Sequence, residues 1–457
     1  MQENQEKFIE KVKEKNKNKN LKYSILTMGC QLNENDSEKI SGMLTKMGYN
    51  EIEDYKRADL IIFNTCCVRE NAEERLFGKI GEIKKLKESK DIILAIGGCM
   101  MQEKGMINKI KRSYPFVDIV FGTHTMQNLP EDIYKVIVNK EKVKDILDID
   151  GEIYEGLPIK RNSKYKASVT IMYGCNNFCS YCIVPYVRGR ERSREPQKIL
   201  EEVKELAKEG YKEITLLGQN VNSYKGNEKI KNFADLLNAV CKIEGIERVN
   251  FISPHPKDFT DDVIEAIAKN EKVTRIIHLP LQAGNTKVLK EMNRKYTKEE
   301  FLNLAEKIKS NVPGVVLSTD IIVGFPGETE EEFEDTLDVV KKVNFEQIFM
   351  FIYSKRDGTV AAKREDQIPE EIKHKRFEKL KELYESRVDE NNEKYIGTKQ
   401  KILIENTSKY NTNTYEGRTS TNKVVIIEKN ENYKIGEIVE VKITENHKWY
   451  LKGVIVL

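Results

Sequence analysis

The chain has 457 residues, a third of them charged, with 77 Lys and Arg almost balanced by 74 Asp and Glu. That length allows two or three domains, each with its own core, and the near balance of charge excludes a polycation, so any affinity for nucleic acid must come from local patches. No apolar run approaches the roughly 18 residues needed to cross a bilayer, which leaves no membrane partner, and residues 1–20 are rich in Lys, Glu and Asn without an apolar centre. They read as a disordered extension of a cytoplasmic protein, expected to be a monomer. In that compartment its eight cysteines are ligands or catalysts rather than disulfide partners.

The first third, residues 21–139, alternates apolar runs with amphipathic stretches. Strands are predicted at 23–28, 59–63, 91–96 and 116–121. A helix is predicted at 38–47, where Ile40, Met43, Leu44 and Met47 share one face. Strands alternating with helices imply an open parallel α/β sheet. Three of the strands run directly into a cysteine, at Met28-Gly29-Cys30, Asn64-Thr65-Cys66 and Gly97-Gly98-Cys99. Ligands of such sheets collect outside the carboxyl ends of the strands, so Cys30, Cys66 and Cys99 form a candidate metal-binding trio. Three small buried cysteines are the competing reading. Cys67 adjoins one proposed ligand, and Cys241 sits at a helical packing position.

The run Gly174-Cys-Asn-Asn-Phe-Cys-Ser-Tyr-Cys-Ile-Val-Pro185 carries Cys175, Cys179 and Cys182 in the spacing C-x-x-x-C-x-x-C. A 4Fe-4S cube normally takes four thiolates, so three close cysteines leave one iron open. Zinc sites want four closed ligands, and no fourth Cys or His follows closely. An open iron that chelates S-adenosylmethionine can pass it an electron and release a 5'-deoxyadenosyl radical. Around the triplet lie Arg161, Lys164, Lys166, Arg188, Arg190, Arg192 and Arg194, opposed only by Glu191. Arg188, Arg190, Arg192 and Arg194 are candidate RNA phosphate contacts, with a solvated charged loop as the alternative.

Residues 161–391 repeat the strand-helix alternation six times, with strands at 167–172, 213–217, 248–252, 275–279, 315–323 and 347–353 and helices such as 196–209 and 298–310. Six units are too few for a closed eight-stranded barrel, so an open, partial (β/α)6 barrel is expected, with its site at the carboxyl ends of the strands. Gly218, Gln219, Asn220, Ser253, Gln282, Gly324 and Gly327 fall at those ends and are candidate S-adenosylmethionine contacts, the glycines because bare backbone can approach a nucleoside closely or simply turn the chain. Beyond residue 394 short alternating strands with Asn, Thr and Gly turns suggest a small antiparallel β-barrel, in which Tyr410, Tyr415 and Trp449 are available to stack on bases.

Together these motifs resemble the methylthiotransferases of the radical S-adenosylmethionine superfamily, most closely the MiaB type that modifies tRNA. The resemblance runs from about residue 21 to the end and adds Leu216-Leu-Gly-Gln-Asn-Val-Asn-Ser-Tyr224, Ser253-Pro-His-Pro256 and His278-Leu-Pro-Leu-Gln282 to the cysteine motifs. It implies a three-part enzyme. An N-terminal methylthiotransferase domain (21–139) would hold an auxiliary 4Fe-4S cluster on Cys30, Cys66 and Cys99. A radical core (161–391) would hold the second 4Fe-4S cluster on Cys175, Cys179 and Cys182, with the aromatic Tyr181 near the adenine of S-adenosylmethionine. A terminal barrel (394–457) resembles a TRAM domain that grips RNA.

The implied reaction places a methylthio group on C2 of N6-isopentenyladenosine beside the tRNA anticodon. S-adenosylmethionine would be both methyl donor and radical source, and the anticodon stem-loop, an external electron donor and a sulfur donor would be the partners. Methylthiotransferases acting on threonylcarbamoyl-adenosine or on a ribosomal-protein aspartate are the nearest alternatives. A non-catalytic iron-sulfur protein that binds RNA or senses redox state is the alternative of another class. Cys67, where the family more usually has no thiol, leaves open which neighbour binds iron.

Overall fold

A computed structural model of the chain describes residues 2–67, 72–147, 151–409 and 411–456, and Tyr410 lies outside them. The chain divides into two compact units, one of residues 1–162, 172–178 and 182–194, the other of residues 163–171, 179–181 and 195–457.

The first unit begins with α1 (Gln2–Asn16), β1 (Lys22–Met28), α2 (Gln31–Lys46), β2 (Asn50–Glu51), β3 (Leu60–Thr65), α3 (Ala72–Ser89), β4 (Ile93–Gly98), α4 (Met106–Ser113), β5 (Ile119–Phe121), α5 (Leu129–Asn139) and β6 (Val143–Asp145). Its sheet is wholly parallel, in the order β2-β1-β3-β4-β5-β6. Every residue of β3 is buried, as a central parallel strand covered on both faces must be. One face packs on Ile40, Met43 and Leu44 of α2 and its C-cap Met47, with Leu129 and Ile133 of α5. The other packs on Leu76, Ile80 and Ile83 of α3 with Met106 and Ile110 of α4.

The expectation of a disordered start at 1–20 is corrected. Ile9 and Val12 of α1 are buried in the α2/α5 core, Phe8 lies in a tilted contact with Tyr134 at 5.4 Å, and Asn16 Nδ2 donates to Met47 O at 2.9 Å. A narrow apolar stripe on an otherwise charged helix was enough to dock it.

The chain then forms β7 (Lys166–Thr170) of the second unit, and β8 (Met172–Tyr173), α6 (Val184–Val187) and β9 (Arg192–Ser193) of the first, with β8 and β9 antiparallel. The second unit continues through α7 (Pro196–Lys208), β10 (Glu213–Leu217), α8 (Phe233–Cys241), β11 (Arg248–Phe251), α9 (Asp261–Lys269), β12 (Ile276–His278), α10 (Thr286–Glu291), α11 (Lys298–Asn311), β13 (Val316–Val323), α12 (Glu330–Val343), β14 (Gln347–Ile352) and α13 (Glu370–Glu393). Parallel sheets β7-β10-β11 and β12-β13-β14 are joined by the bridge Val249–Val273, so six strands run in sequence order as a partial barrel. Thr297 and Thr329 cap α11 and α12 with reciprocal Glu300 and Glu332 contacts, which fixes where these crossover helices begin.

Strands β15 (Lys399–Thr407), β16 (Thr414–Thr419), β17 (Val424–Glu428), β18 (Ile438–Asn446) and β19 (Leu451–Ile455) close a barrel in the order β15-β16-β17-β19-β18, antiparallel but for the β17/β19 pairing. Ile402, Ile404, Val425, Val439, Val441 and Leu451 fill it. Composition set this barrel apart as a domain, yet it belongs to the second unit. Tyr165 Oη donates to Glu405 O at 2.6 Å and Arg248 Nη1 to Arg418 O at 3.1 Å. No described helix is long and apolar enough to cross a membrane.

Candidate functional site

Adjacent strands β1, β3 and β4 deliver Cys30, Cys66 and Cys99 to one edge of the first unit's sheet. The register pairs Met28 with Thr65 and Thr65 with Gly98, so the three cysteines follow level strand ends. Gly98 is required for this approach: its φ is +98°, and a Cβ there would stand 2.4 Å from Thr65 O. Helix α2 starts immediately after Cys30, earlier than the predicted 38–47, which sets that thiol at a helix N-terminus where a thiolate is favoured. Behind it, fully buried Asn33 ties two strand ends together. Its Oδ1 accepts from Cys30 N at 3.4 Å and from Cys30 Sγ at 3.3 Å, while its Nδ2 donates to Asn64 Oδ1 and Thr65 O, each at 3.2 Å.

A hydrogen bond from Cys66 and the charge of Arg188 pull the Cys30 thiol down to about 5. Cys99 is also lowered, by a hydrogen bond from Cys67 and by Arg188, whereas Cys67 as the donor is held well above the ordinary thiol value. Cys66 and Cys67 are thus the donors in this cluster of side chains, and Cys30 and Cys99 the two sulfurs biased toward the thiolate. Cys241 is elsewhere, on α8, and burial pushes it up to about 12, as a packing cysteine.

The basic run departs from its expected role as a row of phosphate contacts. Arg188 is 4% exposed, with Nε donating to Cys99 Sγ at 3.1 Å and Nη2 to Asp36 Oδ2 at 2.9 Å. Arg194 is 9% exposed and makes a two-pronged pair with Glu155, at 2.8 and 2.6 Å. Both guanidiniums are satisfied inside the first unit, so neither presents itself to RNA in this arrangement. Arg192 is half-buried and donates to the carbonyls of Gly151 and Arg188. Arg190 alone of the four is exposed, its guanidinium 4.3 Å from the Phe178 ring centre.

Of the sequence triplet, Cys175 and Cys182 belong to the first unit and Cys179 to the second. In the first, Cys175 N donates to Gly189 O at 3.1 Å and Cys175 Sγ accepts from Asn177 Nδ2 at 3.6 Å. Phe178 takes φ +47°, a strained value for a bulky residue that marks a tightly determined loop. In the second, Cys179 Sγ accepts from Arg294 Nη1 at 3.5 Å, and Arg294, 6% exposed, also donates to Tyr296 Oη and Pro280 O, each at 2.8 Å. Tyr181 is half-buried in this unit and, with Tyr296 and Cys179, keeps Arg294 charged against the effect of its burial.

The proposed S-adenosylmethionine contacts all sit just beyond strand ends of the second unit. Gly218, Gln219 and Asn220 follow β10, and Val221 N then donates to Ser253 O beyond β11, at 3.3 Å. Gln282 is stitched to β13, its N donating to Asp320 O and its O accepting from Ile322 N, both at 2.9 Å. Ser253 and Gln282 have φ +60° and +72°, left-handed values that cost non-glycine residues about 1–3 kcal/mol and cluster at functional sites. Gly324 and Gly327 make room for the protein itself: a Cβ would meet Lys373 Cγ at 2.4 Å and Arg364 Nη2 at 2.5 Å, respectively. Their turning role is the one observed.

Two residues of this rim carried no assignment from the sequence. Arg294 had no motif to mark it. His255 lay within a quoted motif but was given no role. Burial pushes His255 down to about 2, so its ring is neutral; Nδ1 accepts from Lys257 N at 3.1 Å, which leaves the proton on Nε2. That Nε2 is buried without a hydrogen-bond partner among the described residues, the kind of atom a polar ligand satisfies.

No three Cys, His, Asp or Glu side chains among the described residues are drawn together as for a single metal ion. A four-iron cube spaces its thiolates farther apart than one ion does. The donors on offer are all thiols, three of them (Cys99, Cys175 and Cys179) accepting from Arg or Asn, and are the soft set such a cube takes. The residues fit the group.

Comparison with known proteins bears on the same regions. Residues 169–340 match the model of the Radical SAM superfamily, residues 22–122 that of Uncharacterized protein family UPF0004, and residues 393–456 that of the TRAM domain. A tRNA-2-methylthio-N(6)-dimethylallyladenosine synthase of Acetivibrio thermocellus is 51% identical over 99% of this chain and 96% of its own length. One from Clostridium tetani is 53% identical over 96% of this chain and 97% of its own. In fold, the chain is similar to the radical S-adenosylmethionine methyltransferase TsrM of Kitasatospora setae, with a TM-score of 0.54 at 14% identity over 75% of this chain and 77% of that one.

Proposed function

The chain belongs to the family of tRNA-2-methylthio-N(6)-dimethylallyladenosine synthases, and from that premise we propose that it places a methylthio group on C2 of N6-dimethylallyladenosine beside the anticodon of tRNA, using two 4Fe-4S clusters. It is a radical S-adenosylmethionine enzyme, a transferase of sulfur-containing groups, with a TRAM domain at its carboxyl end. The aromatic C2–H has neither the acidity nor the leaving group that ordinary acid-base catalysis needs. When bound, the clusters and S-adenosylmethionine supply the carbon radical that removes this hydrogen and the sulfur and methyl group that replace it.

The chain's own residues bind and position. Cys175, Cys179 and Cys182 hold the radical cluster, with Asn177 and Arg294 hydrogen-bonding Cys175 and Cys179. Cys30, Cys66 and Cys99 hold the auxiliary cluster, and the raised Cys67 thiol favours Cys66 over its neighbour as the ligand. Ser253, Gln282 and the Gly218–Asn220 turn line the S-adenosylmethionine site, to which His255 adds its unsatisfied Nε2–H and Tyr181 a ring for the adenine. Gly324 and Gly327, with φ of +72° and +75°, turn the chain at that rim and offer bare backbone to the cofactor. A base in an anticodon loop can be splayed out at modest cost, and exposed Arg190 with partly exposed Arg192 suits the phosphates beside it. Trp449, 59% exposed on the terminal barrel, supplies a stacking surface for RNA.

The single observation that carries the two-cluster reading is the level delivery of three thiols to adjacent parallel strand ends, with two of them biased to the thiolate. Anaerobic reconstitution with iron and sulfide tests it. Close to eight irons per chain and 5'-deoxyadenosine on addition of reductant and S-adenosylmethionine are expected. In cells lacking the gene, mass spectrometry of tRNA nucleosides should show the dimethylallyl mark retained and the 2-methylthio mark lost; persistence of the latter would refute the assignment.

A further inference from the structure

Arg188 makes an arrangement that neither RNA contact nor simple packing accounts for. It caps the single turn α6, is 4% exposed, and faces a carboxylate and a cysteine sulfur. Nε–H points at Cys99 Sγ, 3.1 Å away, and Nη2–H at Asp36 Oδ2, 2.9 Å away. Asp36, itself 7% exposed on α2, lies six residues beyond Cys30 in the segment that starts at that cysteine. Arg188 O in turn accepts from Arg192 Nη2 at 3.1 Å, so the guanidinium is braced at its acidic partner and at its own backbone. A buried fork of this kind, with one prong on a carboxylate and the other on sulfur, fixes the orientation of the sulfur as well as its charge.

We propose that Arg188, oriented by Asp36, is a positioning residue for the iron-sulfur cluster on Cys30, Cys66 and Cys99. It hydrogen-bonds the Cys99 thiolate, slows loss of iron, and raises the reduction potential of the cluster. The inference rests on the assignment of that trio as cluster ligands. Its physical basis is general: N–H···S hydrogen bonds withdraw negative charge from a cluster's thiolates and so favour its more reduced, more negative state. Such outer partners also hold ligands in place, and their removal commonly weakens metal retention by about 10- to 100-fold. The position in the chain is informative as well. Arg188 follows Cys182 by six residues, so one short segment carries a ligand of one proposed cluster and the donor to a ligand of the other.

The experiment uses the full chain with Cys175, Cys179 and Cys182 replaced by Ala, reconstituted anaerobically so that only the strand-end trio can load. Iron content, the rate of iron release to a ferrous chelator and an electron-paramagnetic-resonance redox titration are then read. Against this background Arg188→Gln and Asp36→Asn should each release iron roughly 10- to 100-fold faster, and Arg188→Gln should titrate at a more negative potential. Arg188→Lys, which keeps the charge but not the fork, should fall between, and exposed Lys104→Gln should match the parent. If the parent loads no iron, the ligand assignment itself fails and the inference with it. Should the parent load normally while Arg188→Gln and Asp36→Asn leave both release rate and potential unchanged, the inference alone is overturned. Where Arg188→Gln does not fold by circular dichroism, Asp36→Asn, which leaves the arginine in place, decides.

Discussion

Asn33→Ala tests how the strand-end trio is held. The side chain is fully buried, and alanine removes both Nδ2 hydrogen bonds, leaving Asn64 Oδ1 and Thr65 O each short of one donor. An unsatisfied buried acceptor costs about 1–3 kcal/mol. Asn64 keeps its own bonds to Asn33 O and Ser37 Oγ, so the loss falls at the lower end, about 2–4 kcal/mol in total. Because the chain has two units, global unfolding is a poor readout, and amide hydrogen exchange in β1 and β3 is the direct one. At 1.4 kcal/mol per decade, exchange there should accelerate roughly 30- to 700-fold, with β10 and β13 of the second unit unaffected. Iron loading of the trio should fall in parallel, because Asn33 also accepts from Cys30 N. Protection in β1 and β3 within a factor of about two of the parent would show that the strand ends are set without this residue.

Asp132, buried near Asp145, is pushed up to about 7, burial contributing most. Its folded value lies above its unfolded one, so the folded state holds the extra proton and stability from this group declines as pH rises from about 4 to about 7, by about 1.4 kcal/mol per pKa unit. Asp132→Asn should flatten that part of the profile, measured as the midpoint of the first unit's own unfolding transition between about pH 4 and 7. In the metal-free chain, exposed Cys30 should alkylate fastest and Cys241 slowest at neutral pH, as mass-spectrometric mapping with iodoacetamide will read; equal rates would contradict the thiolate assignment. Trp449→Ala should weaken tRNA binding by about 1–3 kcal/mol without lowering the melting temperature of the barrel, because the ring is 59% exposed. Unchanged affinity in a filter-binding titration would remove it from the interface.

Much of this was legible from residue pattern. The strand-end cysteines announced themselves because apolar runs stop at Gly-Cys or Thr-Cys, and the β/α alternation of the second unit showed in its regular spacing. Other features were hidden for identifiable reasons. Strand β16, Thr-Tyr-Glu-Gly-Arg-Thr, is too polar to show a buried face, although Thr414, Gly417 and Thr419 are buried and Gly417 lies close against Leu403 O. Helix α1 was obscured by its charge, since only a narrow stripe is apolar. The burial of Arg188 and Arg194 was hidden because a charge run looks solvated until its partners are known. Asp36 is 152 residues from Arg188, and Cys179 is 115 from Arg294. Partnerships over such separations exist only in the folded chain.

The pairing of β1, β3 and β4 has a consequence for how the sequence can vary. Side chains alternate along a strand, so deleting or inserting one residue inside any of these three would turn its terminal thiol to the opposite side of the sheet while the crossover helices could lengthen freely. Mutational drift should therefore spare the helices' lengths far less than it spares the count of residues between Lys22 and Cys30, Leu60 and Cys66, and Ile93 and Cys99.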